Sequence, residues 1–166
     1  MIRKFIEKNF QGKSLVVVSN REPYIHKKSG LSIRVEKPAG GLTSALDDVL
    51  KVTGGTWVAW GSGSGDREMI DGKNRIEVPP ENPSYILKRV WYSNQVLWPL
   101  CHITLDRVYF RKKFWEDYKK ANRAFADAVI EEAGKDSIVW VHDYHLCLVP
   151  EMLRNERPEL TISHFW

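Results

Sequence analysis

Short apolar runs alternate with longer stretches of helical spacing along this chain. Residues 14–19, SLVVVS, are apolar, β-branched and bounded by polar residues, as a strand buried on both faces requires. Residues 20–41 read as a long loop with a hairpin around Ser29-Gly30. Residues 42–52, LTSALDDVLKV, place apolar side chains at 42, 45, 46, 49 and 50, one face of a helix, and Gly54-Gly55 stops it. TWVAW, 56–60, predicts the next strand and GSGSGD, 61–66, a plain flexible turn. Two more strands are expected at 75–78 and 87–91, separated by the proline-rich PPENP. The longest helical pattern runs over 114–133, with Trp115, Tyr118, Ala121, Phe125, Ala128 and Val129 on or near one face. A strand at 137–141, a helix at 146–155 and a strand at 160–166 complete the series. The opening MIRKFIEKNFQGK reads as a short amphipathic helix, with Ile2, Phe5, Ile6 and Phe10 on roughly one face.

Strands that are apolar throughout, alternating with helices, predict an α/β fold whose mostly parallel sheet is covered by helices on both faces. Ligands of such sheets sit outside the carboxyl ends of the strands. Two polar clusters fall at those ends: SNRE after the first strand, and HDYH after the strand at 137–141. The last strand stops at Trp166 with no polar cluster behind it, so the chain is expected to be part of something longer.

Composition narrows the function classes. At 166 residues the chain is long enough for one domain with a sizeable core, and 43% hydrophobic with 28% charged residues is ordinary for a globular protein. The net charge of +4 is mild and its basic residues are dispersed, so there is no stripe for nucleic acid. No apolar run approaches the roughly 20 residues of a membrane span. Cys101 and Cys147 have no metal or redox spacing, which points to a reducing, cytoplasmic setting.

Four constellations could carry chemistry. Arg21, in SNREP, offers a planar fork of donors that matches phosphate, although an ordinary loop arginine fits too. In PAGGLTSAL, Gly40 and Gly41 lead into a helix, so the backbone can approach an anion. The segment is neither a Walker loop nor GxGxxG, and a tight helix entrance explains it equally well. In YSNQVLWPLCH, Tyr92 and Trp98 could present a flat face to a pyranose ring, or the segment could pack into the core. In HDYH, Asp143 reads as an acceptor for substrate hydroxyls; His142 and His145 lack a third ligand, so no metal is expected.

Taken together, SNRE, GGLTSAL, TWVAWGSG, SNQVLWPLCH, the helix WEDYKKANRAFADAV and VWVHDYHLCLVPEMLR resemble, in order, the trehalose-6-phosphate synthase family of retaining glycosyltransferases. The resemblance covers about residues 14–166. It implies a Rossmann-like sheet forming the N-terminal, acceptor-side half of a two-domain GT-B fold. Residues 1–166 would make up most of that domain, with the nucleotide-sugar-binding C-terminal domain absent from the chain. It implies transfer of glucose from a nucleotide sugar, usually UDP-glucose, to glucose 6-phosphate, giving α,α-trehalose 6-phosphate. No cofactor or metal is implied, and homo-oligomerisation is left open. Carried over by position, Arg21 would hold the acceptor phosphate, and Trp60 and Trp98 would line the acceptor pocket. Asp143 would bind acceptor hydroxyls, and Gly41, with Gly40, would approach the donor phosphates. Trp57, in the same strand as Trp60, competes for its assignment.

Two departures accompany the resemblance. The family carries a longer, aromatic stretch between the strand ending in LKRVW and the SN-x-x-LWP motif. Its acceptor-phosphate tyrosine has no counterpart here, and back-counting lands on Arg89, a candidate substitute donor to phosphate. The chain also stops at HFW, one residue before a donor-contacting histidine of the family. These 166 residues alone are therefore expected to show no transferase turnover. The alternatives are a glucosylglycerol-phosphate synthase acting on glycerol 3-phosphate, or a non-catalytic sugar-phosphate-binding homologue.

Overall fold

The computed structural model describes residues 4, 8, 12–91 and 112–166. Trp98, with the rest of SNQVLWPLCH, and the apolar face expected for the opening helix lie outside the described residues. Among the described residues, eight strands and three α-helices of more than one turn follow in chain order. They are β1 (Leu15–Ser19), β2 (Ile25–Ser29), β3 (Ser32–Glu36), α1 (Gly41–Thr53), β4 (Thr56–Trp60), β5 (Arg75–Val78), β6 (Tyr85–Val90), α2 (Lys112–Glu132), β7 (Ile138–His142), α3 (Val149–Glu156) and β8 (Thr161–Phe165).

Six strands form one sheet in the order β5-β6-β4-β1-β7-β8, and β2 pairs with β3 as a separate antiparallel hairpin. All neighbours in the large sheet are parallel except the edge strand β5, which runs antiparallel to β6. The hairpin turns at Gly30-Leu31, with Gly30 at φ 64 in the first central position, which only glycine adopts cheaply. The expected hairpin, α/β class and mostly parallel sheet are all present.

Side-chain parity divides the sheet into two cores. Leu15 and Val17 of β1, Trp57 and Ala59 of β4 and Leu87 of β6 pack with Leu46 and Leu50 of α1. On the other face Val16, Val18, Val58, Val90, Val139 and Val141 meet Phe125, Ala126 and Val129 of α2 and Leu153 of α3. Burial on both faces explains why these strands lack alternating polar residues.

Two expectations move. The helix expected at 146–155 begins at Val149, after a 3-10 turn at Tyr144–Leu146, with Pro150 in its first turn, where a missing N–H costs nothing. The strand expected at 87–91 begins at Tyr85, because Tyr85 and Ile86 already pair with Val78 and Glu77 of β5.

Candidate functional site

β1, β4, β6 and β7 are mutually parallel, so their carboxyl ends share one edge of the sheet. β1 and β7 are adjacent, with Val18 opposite Val141; Arg21 follows two residues after the end of β1 and Asp143 directly after the end of β7. Arg21 and Asp143 therefore follow neighbouring strand tips. Trp60 ends β4 on the other side of β1. Gly40 and Gly41 open α1, which leaves that edge and returns to the start of β4. The structure thus gathers Arg21, Asp143, Trp60 and the glycine pair at one edge.

Arg21 is exposed, and its side chain has no partner among the described residues. Its backbone is fixed on both sides. The Ser19 hydroxyl donates to the Arg21 carbonyl at 2.6 Å and accepts from Trp57 Nε1 at 2.8 Å. On the other side, the Glu22 carboxylate accepts from the Ser62 amide at 3.1 Å and from its hydroxyl at 2.5 Å. Trp57, at 0% exposure, is a core residue, leaving Trp60 as the tryptophan at the strand end. Trp60 is half-buried and turned toward the α2–α3 core.

Asp143 has φ 73 and ψ 159, a region adopted almost only by glycine. Several contacts hold it there, among them a hydrogen bond from the Leu146 amide to its carbonyl at 3.2 Å. Its amide donates to the Phe165 carbonyl at 2.8 Å, and its own carbonyl lies 3.2 Å from His164 Nε2. Its carboxylate accepts from the Tyr144 amide at 2.8 Å and faces His145 Nδ1 at 3.1 Å. The side chain is 37% exposed, enough for the remaining lone pairs to meet a ligand. Helix α2 braces the turn from below. The Tyr118 hydroxyl donates to the Tyr144 carbonyl and accepts from the Cys147 amide, and Asn122 bonds the His145 carbonyl and the Leu148 amide.

Asp143→Gly should unfold in urea at a stability about 1–3 kcal/mol above that of Asp143→Ala. Both variants lose the carboxylate, and only glycine releases the strain. Equal stability would mean the backbone here is relaxed.

Sequence reasoning missed the network beneath Arg21. Arg89, on the α1 face of β6, is 1% exposed. It pairs with Glu22, lies 3.0 Å from Asp66 Oδ1 and donates to the Tyr24 carbonyl at 2.7 Å. Asp66 also accepts from the His26 amide at 2.9 Å and the Gly63 amide at 2.6 Å. Burial pulls the Arg89 guanidinium down to about 9, still a cation at neutral pH. Arg89 is thus committed to two carboxylates, which removes it as a substitute phosphate donor. GSGSGD is likewise no plain turn. Asp66 is fully buried, and a Cβ on Gly63 would stand 2.3 Å from the His26 carbonyl oxygen. The signal was in YILKRV: two cations inside a buried strand require carboxylate partners. Lys88, facing α2, meets Glu131 at 2.5 Å.

A second network anchors α1. The buried Asp47 carboxylate accepts from Tyr85 at 2.8 Å, Tyr24 at 3.1 Å, Lys37 at 2.5 Å and Lys51 at 2.7 Å. Burial alone would raise its pKa, but the donors from Lys37, Lys51 and Tyr85 outweigh that and hold it below the ordinary value. This fixes the helix that presents Gly40 and Gly41. A Cβ on Gly41 would meet nothing within 4 Å, so its missing side chain leaves the helix entrance open.

Among the described residues no group of three or more His, Cys, Asp or Glu is placed to hold a metal ion. No helix of the described chain is long and apolar enough to cross a membrane. A cleft lined by Gly55, Glu77, Ser84 and Tyr85 opens at the amino ends of β4 and β6, the opposite edge from Arg21 and Asp143.

A mostly parallel sheet covered on both faces, with an arginine unpaired among the described residues and a strained carboxylate at its strand tips, defines a Rossmann-like α/β domain. The model of glycosyltransferase family 20 matches residues 13–166, and the chain belongs to that family. It is 38% identical over 161 residues to an alpha,alpha-trehalose-phosphate synthase [UDP-forming] of Emericella nidulans, covering 91% of this chain and 32% of the relative. It is 34% identical to a trehalose-6-phosphate synthase of Mycobacterium tuberculosis strain H37Rv, covering 94% of this chain and 34% of the relative. Among solved structures, the trehalose-6-phosphate enzyme from E. coli bound with UDP-2-fluoro glucose superposes with TM-score 0.64 at 30% identity, over 92% of this chain and 32% of the other. A Burkholderia xenovorans synthase in complex with glucose-6-phosphate gives TM-score 0.63 at 27% identity, over 92% and 33%. The chain spans about a third of the length of the relatives it matches.

Proposed function

We propose that this chain is the N-terminal, acceptor-binding part of a cytoplasmic trehalose-6-phosphate synthase. The reaction moves glucose from UDP-glucose to glucose 6-phosphate, giving α,α-trehalose 6-phosphate with the anomeric configuration retained. The observation that carries this reading is that Arg21 and Asp143 follow the carboxyl ends of two adjacent parallel strands. One is a cation without a partner among the described residues, the other a carboxylate held in a costly conformation. Support comes also from the family match and from the relatives named above.

The geometry suits the acceptor. Arg21 takes the phosphate through its fork of donors, and the bracing by Ser19 and Glu22 means little backbone freedom is lost on binding. Asp143 accepts from sugar hydroxyls, with Trp60 nearby at the end of β4. A phosphate gripped at a distance from the reacting hydroxyl supplies binding energy that orients that hydroxyl. Gly40 and Gly41 leave the amino end of α1 open to the donor phosphates.

The test is calorimetric titration of Arg21→Ala with glucose 6-phosphate. Losing a charged hydrogen-bond partner should cost about 2–3 kcal/mol, roughly 30- to 150-fold in affinity. Binding of UDP-glucose should change little. An equal loss for both ligands would count against the assignment, and tighter binding of glycerol 3-phosphate would move the acceptor to that compound.

A further inference from the structure

We propose that Arg67 is a second phosphate-binding residue, acting beside Arg21 at the acceptor end of the site; this rests on the reading that the acceptor is glucose 6-phosphate. Two observations carry it.

The first is how Arg89 is used. Its one guanidinium grips Glu22 through Nη1 and Asp66 through Nη2. Each of those carboxylates is next in the chain to an exposed arginine: Arg21 precedes Glu22, and Arg67 follows Asp66. A single planar fork cannot hold two carboxylates far apart, so the backbones bearing Arg21 and Arg67 are clamped onto the same rim. All three clamping side chains are buried, so the spacing is rigid. The hydrogen bonds from Ser62 to Glu22 and from Gly63 to Asp66 tie the rim to the end of β4 as well.

The second is the state of Arg67 itself. Its guanidinium carbon lies 3.9 Å from the centroid of the Trp91 ring. That ring is set by the end of β4, since a Cβ on Gly61 would stand 2.3 Å from it. Stacking fixes the plane of a guanidinium and leaves its in-plane N–H groups free to donate. Arg67 has no ion-pair partner among the described residues: Asp66 turns inward to Arg89, and Glu68 pairs with Lys28. An exposed arginine with its plane already ordered and its donors unused matches a phosphate dianion, and Arg21 supplies the second cation. Loss of the Trp91 stack should weaken binding less than loss of Arg67, because the cation remains while its order is lost.

The experiment titrates the chain, Arg67→Gln, Arg21→Ala and the double variant with glucose 6-phosphate and with glucose, alongside thermal unfolding. The expected result is a loss of about tenfold for glucose 6-phosphate in Arg67→Gln, with glucose binding and the unfolding midpoint unchanged. The double variant should bind glucose 6-phosphate more weakly than either single one. Trp91→Leu is a second probe that leaves both arginines in place, and an intermediate loss there supports the stack. If Arg67→Gln binds glucose 6-phosphate as tightly as the parent while Arg21→Ala does not, the inference about Arg67 is overturned alone. If the parent chain does not bind glucose 6-phosphate, the acceptor reading falls, and this inference with it.

Discussion

Arg89→Ala should destabilise the fold by about 3–5 kcal/mol, the cost of leaving a buried ion pair without one partner. Glu22 and Asp66 would remain buried with their cation gone, and the Tyr24 carbonyl would lose its donor. For a domain of this length each kcal/mol is worth about 2–4 °C, so the unfolding temperature should fall by roughly 6–20 °C. The loss comes from the stranded carboxylates rather than from the missing contact itself. Hence the combined replacement Arg89→Met, Glu22→Gln, Asp66→Asn should recover a large part of it, since a neutralised site has no unpaired charge to bury. A shift of only one or two degrees in Arg89→Ala would show that water reaches the network.

The second large effect is a dependence on pH that passes through His142. This imidazole is 2% exposed, and neither ring nitrogen has a hydrogen-bond partner among the described residues. It lies between Trp140 and Phe165, with ring centroids 4.6 and 5.9 Å away. Burial first, and then His164 on β8, lower its pKa from 6.5 to about 4 against the opposing charge of the adjacent Asp143. The folded state therefore holds the ring neutral, while the unfolded chain protonates it near pH 6.5. The sign follows: stability is fully present above about pH 6.5, is lost as pH falls, and stops falling on this account below about pH 4. The size is on the order of 3 kcal/mol, from a shift between two and three pH units. Urea unfolding across that window should show the slope in the parent and its disappearance in His142→Phe. An unchanged slope in the variant would assign the effect to other groups.

These two residues mark how far a reading without coordinates reaches. The strands and helices were legible because β1, β4 and β7 are unbroken apolar runs and α1 and α2 repeat at helical spacing. Burial on both faces leaves no other pattern available to a parallel strand. Arg21 and Asp143 were legible as strand-end residues for the same reason. The roles of Asp47, Asp66 and Arg89 were not. A buried charge reads like a solvated one until its partners are known, and those partners lie 23 to 38 residues apart in sequence for the Arg89–Asp66 and Tyr85–Asp47 contacts.

The boundary at Val149 and the conformation of Asp143 were likewise decided by tertiary contacts. Tyr118 and Asn122 of α2 take up the backbone groups of the segment after β7, so a turn stands where local spacing predicted helix. Periodicity and motif order alone determined the class of fold, the edge of the sheet where the candidate residues fall and the family. Only the tertiary structure decided which charges are buried and paired and which are left exposed. Apolar patterning is a local property of the chain, whereas pairing of charges depends on which strands lie side by side.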